Sequence, residues 1–198
     1  MIRAAIVGLG RWGRSLASSV AGSSDDIEFV RAYTRTRASA EDFCRDKHIP
    51  LADSYEQILR DPDIDAVVLA TPHSQHQAQA VAAAAARKHI FVEKPITLDL
   101  ASAHLVVDAA RKAGVVLAVG LARRFHPSVA AVRDRLQGGR LGKVVAMVAQ
   151  HTTSTAQFVA LDNWRAASTT TCALARSSVM GFSTKICLRA ATAASACA

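Results

Sequence analysis

Residues 2–13 read Ile2-Arg3-Ala4-Ala5-Ile6-Val7-Gly8-Leu9-Gly10-Arg11-Trp12-Gly13. The first half is short, apolar and partly β-branched, and it stops at glycine, the pattern of a strand buried on both faces of a parallel sheet. The second half is G-x-G-x-x-G, and the stretch after it, Arg14–Ala21, reads as a helix. Strand, glycine turn and helix in that order are the context a dinucleotide-binding loop requires. Gly8 permits the tight turn, Gly10 lets a pyrophosphate approach the main chain, and Gly13 lets helix and strand pack closely. The helix N-terminus then offers free N–H groups and the positive end of its dipole to the phosphates. Arg11 and Trp12, between the glycines, belong to the same candidate cofactor site. The alternative is a glycine-rich turn with no ligand.

Outward from this loop, strands alternate with helices. Ile27–Tyr33, Asp65–Thr71, His89–Glu93 and Val115–Gly120 read as strands. Ser39 with Asp42 forms a capping box for a helix to about Lys47, and Asp53 or Ser54 caps a short helix stopped by Asp61-Pro62. Alanine-rich Gln75–Arg87 is strongly helical, as is Leu98–Ala113, ended by Gly114. Ser128–Gln137 is a further helix, and Lys143–Thr153 a longer, alternating strand. The pattern predicts an α/β fold, a doubly wound parallel sheet of the Rossmann type.

Cofactor type is written at the end of the second strand, about 20 residues past the glycines, where an NAD site places Asp or Glu on the ribose 2′-hydroxyl. Here the stretch is Tyr33-Thr34-Arg35-Thr36-Arg37, with no acid. Thr34, Arg35 and Arg37 suit a 2′-phosphate, so NADP(H) is preferred, with NAD(H) possible. A solvated basic turn, or stacking of Arg35 on the adenine, is the alternative.

Composition removes several function classes. The chain has 198 residues, 51% hydrophobic and 20% charged, enough for a packed core and against disorder. No apolar run approaches the roughly 18 residues of a membrane span. The first residues turn charged too soon for a secretory signal, so a cytoplasmic location is expected, with no membrane partner. Net charge is +8, but the basic residues are scattered and form no block, so no nucleic-acid partner is expected. Residues 166–198 differ from the rest. Of these 33, 23 are Ala, Ser, Thr or Cys; Arg176, Lys185 and Arg189 carry charge, and there is no Asp, Glu, His, Asn, Gln or Pro. The stretch is expected to be a poorly ordered tail, arising from a frameshift or early termination, or natural to the protein. Its Cys172, Cys187 and Cys197 match no zinc spacing, and Cys44 reads as a small buried or half-buried residue in a helix.

Glu93-Lys94-Pro95 closes a strand at the end where open α/β sheets place their ligands. A partly desolvated lysine beside a cofactor can present a proton or hydrogen bond to a reacting oxygen, and Glu93 could orient it. Taken alone, a surface salt-bridge lysine is the simpler reading.

GLGRWG, DAVVLATPHSQH, HIFVEKPITLDLASA, VGLARRFHPSV and GGRLGKVVAM follow one another along the chain. Together they resemble the Gfo/Idh/MocA oxidoreductases, which include glucose–fructose oxidoreductase and inositol dehydrogenase, over roughly residues 2–165. The resemblance implies a Rossmann domain over 1–122. Over 123–165 it implies a linking helix and the first strand of an α+β domain, incomplete here. It implies NAD(P)-dependent hydride transfer to or from a hydroxyl or carbonyl of a sugar or cyclitol. The alternative is a nucleotide-binding fragment without turnover. Gly8, Gly10 and Gly13 would hold the pyrophosphate. Thr71, Pro72 and His76 would line the cofactor, with Glu93 beside it. Lys94 would be the catalytic lysine, and Arg124 would border the substrate cleft. Relatives associate through the C-terminal sheet, which is largely absent here.

The family's second domain also brings a glycine-rich segment followed by an Asp and a His. Asn163-Trp164-Arg165 resembles the lead-in, and there the resemblance stops. Strand Lys143–Thr153 is therefore expected to lack most of its sheet partners. His76 could instead cap its helix. His73 and His126 are weaker site candidates, whereas His48, His89, His104 and His151 read as surface or structural. No metal site is expected.

Overall fold

The first strand sits where its composition places it, in the middle of a parallel sheet. In a computed structural model that describes residues 1–139, 142–144, 146–152, 169–175 and 187–191, β1 (Ile2–Val7) pairs with β2 (Ile27–Tyr33) on one side and β3 (Ala66–Leu69) on the other. Beyond β3 lie β4 (His89–Val92) and β5 (Leu117–Val119), giving the order β2-β1-β3-β4-β5 with every pairing parallel. The chain leaves β1 toward one edge, returns across it to β3, and continues to the other. This reversal opens a crevice at the carboxyl ends of β1 and β3.

Both faces of the sheet are covered, which is why β1 shows no polar alternation. Ala5 and Val7 join Val67, Leu69, Ile90 and Val92 in a core with Ile58, Ala80, Ala83 and Val106 from the helices α3 (Tyr55–Arg60), α4 (His73–Ala85) and α5 (Leu100–Ala113). Ala4 and Ile6 point the other way, into a core with Phe29, Ala32, Ala17 of α1 (Arg11–Val20) and Cys44 of α2 (Glu41–Asp46). Small residues on α4 let it lie close against the sheet.

Several ends follow their sequence signals. Ser54, not Asp53, caps α3, accepting from the Gln57 N–H at 3.1 Å. Asp99 caps α5 through the Ser102 N–H at 2.8 Å, and Gly114 closes it. Two starts differ. α1 begins at Arg11 rather than Arg14, so Gly13 lies inside the first turn. The Ser39 capping box does not form: Ser39 ends a 3-10 turn, Arg37–Ser39, and its hydroxyl donates to the Thr36 carbonyl at 2.7 Å. The opposite end of the sheet is tied by buried Lys88, whose Nζ donates to the Asp61 and Ile64 carbonyls at 2.6 and 2.7 Å.

The fold divides at Gly120, and Leu121–Ala198 forms a second unit. It contains a 3-10 turn (Ala122–Phe125), then α6 (Pro127–Gln137), with proline at its start and His126 as cap. β6 (Ala146–Thr152) runs antiparallel to β7 (Thr169–Ala175) and β8 (Cys187–Ala191), in the order β7-β6-β8. The sequence leaves β6 without most of its partners. The backbone instead pairs it on both sides, with strands drawn from residues 166–198, because any chain in β conformation carries the ladder's donors and acceptors. The stretch 163–165 lies outside the described residues. Among the described residues, no helix is long and apolar enough to cross a membrane.

Candidate active site

The three glycines of the first loop stand in three different settings. Gly8 has φ +95°, and a Cβ there would stand 2.7 Å from the Ala70 carbonyl carbon and oxygen. Gly13 packs directly over Gly8, and a Cβ on it would fall inside the Gly8 carbonyl oxygen. Gly10 is different. Its backbone is extended, φ −69° and ψ −176°, a conformation open to any residue, and a Cβ there would meet nothing within 4 Å. Neither backbone geometry nor packing asks for glycine at this position. What a side chain would obstruct is the open space at the head of α1, the end of a helix at which anions bind.

That space is a cleft of about 830 Å³, within the range of small-molecule sites. Its floor is Gly8–Trp12, with Ala70, Thr71 and Pro72 on the β3 side and Tyr33–Thr36 on the β2 side. Main-chain bonds fix these segments to one another. The Gly8 N–H donates to Tyr33 O at 2.7 Å, and the Ala70 N–H to Val7 O at 2.8 Å. Trp12 is half exposed on the rim. Of the two arginines after β2, only Arg35 lines the cleft. Arg37 bonds Asp53 at 2.7 Å and approaches Glu41 at 3.7 Å, so its charge is already met. Arg14 holds the turn in place: its Nε donates to Leu9 O at 3.1 Å, its Nη2 donates to Ser39 O, and its guanidinium lies over the Phe43 ring.

The far wall comes from α3 and α4. Gln75, Ala78, Gln79 and Ala82 face the cleft, with Tyr55 and Glu56 beside them. Thr71 Oγ1 donates to Gln79 Oε1 at 2.6 Å, Gln79 Nε2 donates to Gln75 Oε1 at 3.3 Å, and the Tyr55 hydroxyl donates to Gln79 O at 2.8 Å. Burial, with a smaller push from Glu56, drives the Tyr55 pKa up, so the phenol remains a donor. Nothing in the sequence motifs marks this wall or Arg14 as part of the site. The stripe 75, 78, 79, 82 is a helical face, and its spacing was the available signal.

His76 does not touch the cleft. It is wholly buried, with Nδ1 2.8 Å from Pro95 O and Nε2 3.0 Å from Thr71 O. It is not a helix cap, because α4 already begins at His73. Next to it, Glu93 continues the main-chain ladder from Leu69 O at 2.9 Å, and Gly120 from Val92 O at 2.9 Å. The Glu93 carboxylate is buried, where a Cβ on Gly120 would come within 2.5 Å of Oε1. Its Oε2 accepts from the Lys94 main-chain N–H at 3.2 Å. Glu93 thus orients the Lys94 backbone and leaves the Lys94 side chain exposed, where the sequence suggested partial desolvation. The Lys94–Pro95 peptide is cis. Arg124 belongs to the second unit, exposed, its guanidinium 5.5 Å from the centre of the Phe125 ring.

A glycine turn at the head of a helix, a switch point and a cleft over it describe a nucleotide-binding Rossmann domain. The profile of the Gfo/Idh/MocA oxidoreductases, characterised as an NAD-binding Rossmann fold, matches residues 2–121. The chain belongs to this family. It is 36% identical over 146 residues to scyllo-inositol 2-dehydrogenase (NAD(+)) of Bacillus subtilis, an alignment covering 73% of this chain and 42% of that enzyme. Myo-inositol 2-dehydrogenase of Thermotoga maritima is 29% identical over 147 residues, 72% of this chain and 42% of the relative. Among solved structures, scyllo-inositol dehydrogenase from Lactobacillus casei, with bound NAD(H) and scyllo-inositol, superposes with TM-score 0.71 at 25% identity. That match covers 76% of this chain and 45% of the other. This Gfo/Idh/MocA chain thus spans less than half the length of these relatives.

Proposed function

We propose that the chain carries the nucleotide-binding and lysine-bearing part of an oxidoreductase acting on a cyclitol or sugar. The observation that carries this reading is Gly10, where neither backbone nor packing asks for glycine and the bare main chain leaves the cleft floor open to a ligand. A bound nicotinamide nucleotide supplies hydride transfer to or from the substrate carbon. Gly8, Gly10, Arg11, Trp12 and Gly13 would hold its pyrophosphate, and Thr71 and Pro72 would border its nicotinamide half. Lys94 would give or take the proton at the reacting oxygen, and Arg124 would contact substrate. The polyhydroxylated substrate class rests on the inositol dehydrogenases among the relatives.

NADP(H) is the preferred nucleotide and NAD(H) an accepted one. Arg35, with Thr34 and Thr36, faces the cleft where an NAD site would put a carboxylate. Arg37 serves by holding the turn to Asp53.

Trp12, on the cleft rim, makes the test direct. Its fluorescence should change on titration with NADPH and NADH, and the change should vanish in Trp12→Phe. Turnover on a panel of polyols, lost in Lys94→Ala, completes the reading. Binding without turnover would make the chain a nucleotide-binding portion alone, and a chain that binds neither nucleotide refutes both.

A further inference from the structure

The α4 wall of the cleft holds a line of side-chain hydrogen bonds that runs in one direction. Thr71 Oγ1 lies 2.6 Å from Gln79 Oε1. That separation suits a hydroxyl donating to oxygen and is short for an amide N–H, so the Gln79 carbonyl faces Thr71 and its amino group faces Gln75. Gln79 Nε2 donates to Gln75 Oε1 at 3.3 Å. An amino group only donates, so Gln75 must meet it with its own carbonyl, and Gln75 Nε2 is turned out of the line. From α3, the Tyr55 hydroxyl steadies the line by donating to Gln79 O at 2.8 Å.

Both polar atoms of the Gln79 amide are thereby engaged within the wall, as is Gln75 Oε1. Gln75 Nε2 makes no hydrogen bond to a described residue. No buried side-chain nitrogen or oxygen among the described residues lacks a partner, so this amino group is open, on a residue that lines the cleft. Ala78 and Ala82, the other α4 residues of the wall, bring no polar side chain. Gln75 also stands on the first turn of α4, its own N–H bonded to Pro72 O at 2.9 Å, so it rises from the segment that borders the glycine floor.

We propose that Gln75 is a nucleotide-binding residue, its amino group donating to an oxygen of the ribose–pyrophosphate backbone of a nicotinamide nucleotide. This role rests on the nucleotide reading above. Phosphate oxygens and ribose hydroxyls accept hydrogen bonds, and the α4 wall has one donor left to give them. The donor is set in advance. Gln75 cannot turn its amide over without opposing two amino groups, and Gln79 cannot turn over without giving up the short bond to Thr71. Little side-chain freedom is then lost when the ligand arrives.

Isothermal titration calorimetry of the whole chain with NADH and with NADPH tests this. Gln75→Met keeps the length of the side chain without the donor, and it should weaken both nucleotides about three- to tenfold, the scale of one lost hydrogen bond. Gln75→Glu keeps the shape but sets a carboxylate toward an anionic ligand, and it should weaken both further than Gln75→Met does. Both variants should keep the parent's circular dichroism spectrum, since the side chain is only half-buried. A Gln75→Met chain that binds as tightly as the parent means that the amino group meets water alone, and the proposal fails. It fails equally if Gln75→Glu binds as well as Gln75→Met. A parent that binds neither nucleotide removes the proposed function and this role together, whereas a parent that binds, with variants that match it, removes this role alone.

Discussion

Gly10 and Gly13 are the same residue three positions apart, yet their replacement should fail in opposite ways. Gly10→Ala places a methyl in open space and should leave the thermal midpoint within a degree or two, while weakening nucleotide binding at least tenfold. Gly13→Ala drives a methyl into the Gly8 carbonyl and should cost about 1–3 kcal/mol of stability, measured by denaturant unfolding. If Gly10→Ala binds NADH and NADPH like the parent, the phosphate role of the loop is wrong. The arginines separate in the same manner. Arg35→Ala should lower NADPH affinity relative to NADH by about tenfold or more, the loss of a charged hydrogen bond. Arg37→Ala should leave that ratio alone and loosen the turn that Asp53 holds. The sequence could show two arginines at the end of β2. It could not show that Asp53, 16 residues further on, neutralises one of them.

At the scale of the element, periodicity and caps predicted most of the first unit. Ile27–Tyr33 was legible to the residue, because the apolar and aromatic run ends there, before the polar stretch Thr34-Arg35-Thr36-Arg37. α1 starts three residues before the position its sequence suggests, since glycine inside a helical turn looks like a break unless its packing partner is known. The Ser39 box failed for a related reason: a cap needs its own backbone extended, and the 3-10 turn claims Ser39 first. Asp99 gives the clearest pH signature. The Ser102 N–H, and then its hydroxyl, hold the Asp99 pKa below the ordinary carboxylate range. The cap's contribution is therefore complete above the unfolded carboxylate's value of ~3.9, and it is lost as pH falls through the lower folded value. Asp99→Asn keeps an acceptor but cannot titrate. The gap in thermal midpoint between parent and variant should close as the pH drops from neutral to about 2. A gap that is constant over that range contradicts the assignment.

On the scale of the whole molecule, the first unit holds together through a sheet sealed on both faces. Leu69→Ala, in the β3 layer under α4, removes a wholly buried side chain and should cost about 2–5 kcal/mol, read by chemical denaturation. Such positions were visible as apolar runs. The partners of β6 were not, because antiparallel pairing across a long connection leaves little local trace. The wall of Gln75 and Gln79 was equally hidden: its bonds to Thr71 and Tyr55 join separate elements.

The main-chain ladder over the carboxyl ends of the strands has a consequence for how such a protein can change. Gly8 to Tyr33, Ala70 to Val7, Glu93 to Leu69 and Gly120 to Val92 are all joined by main-chain N–H and C=O groups, which every residue type but proline supplies. Gly8 and Gly120 within the frame admit no side chain, but the residues that project beyond it are not part of its bonding. Arg35 can be exchanged for an acid, or the residues around Lys94 for others, without redrawing the ground on which they stand. Architecture is inherited separately from whatever the cleft binds, and a lineage is free to explore new ligands while its descendants go on folding.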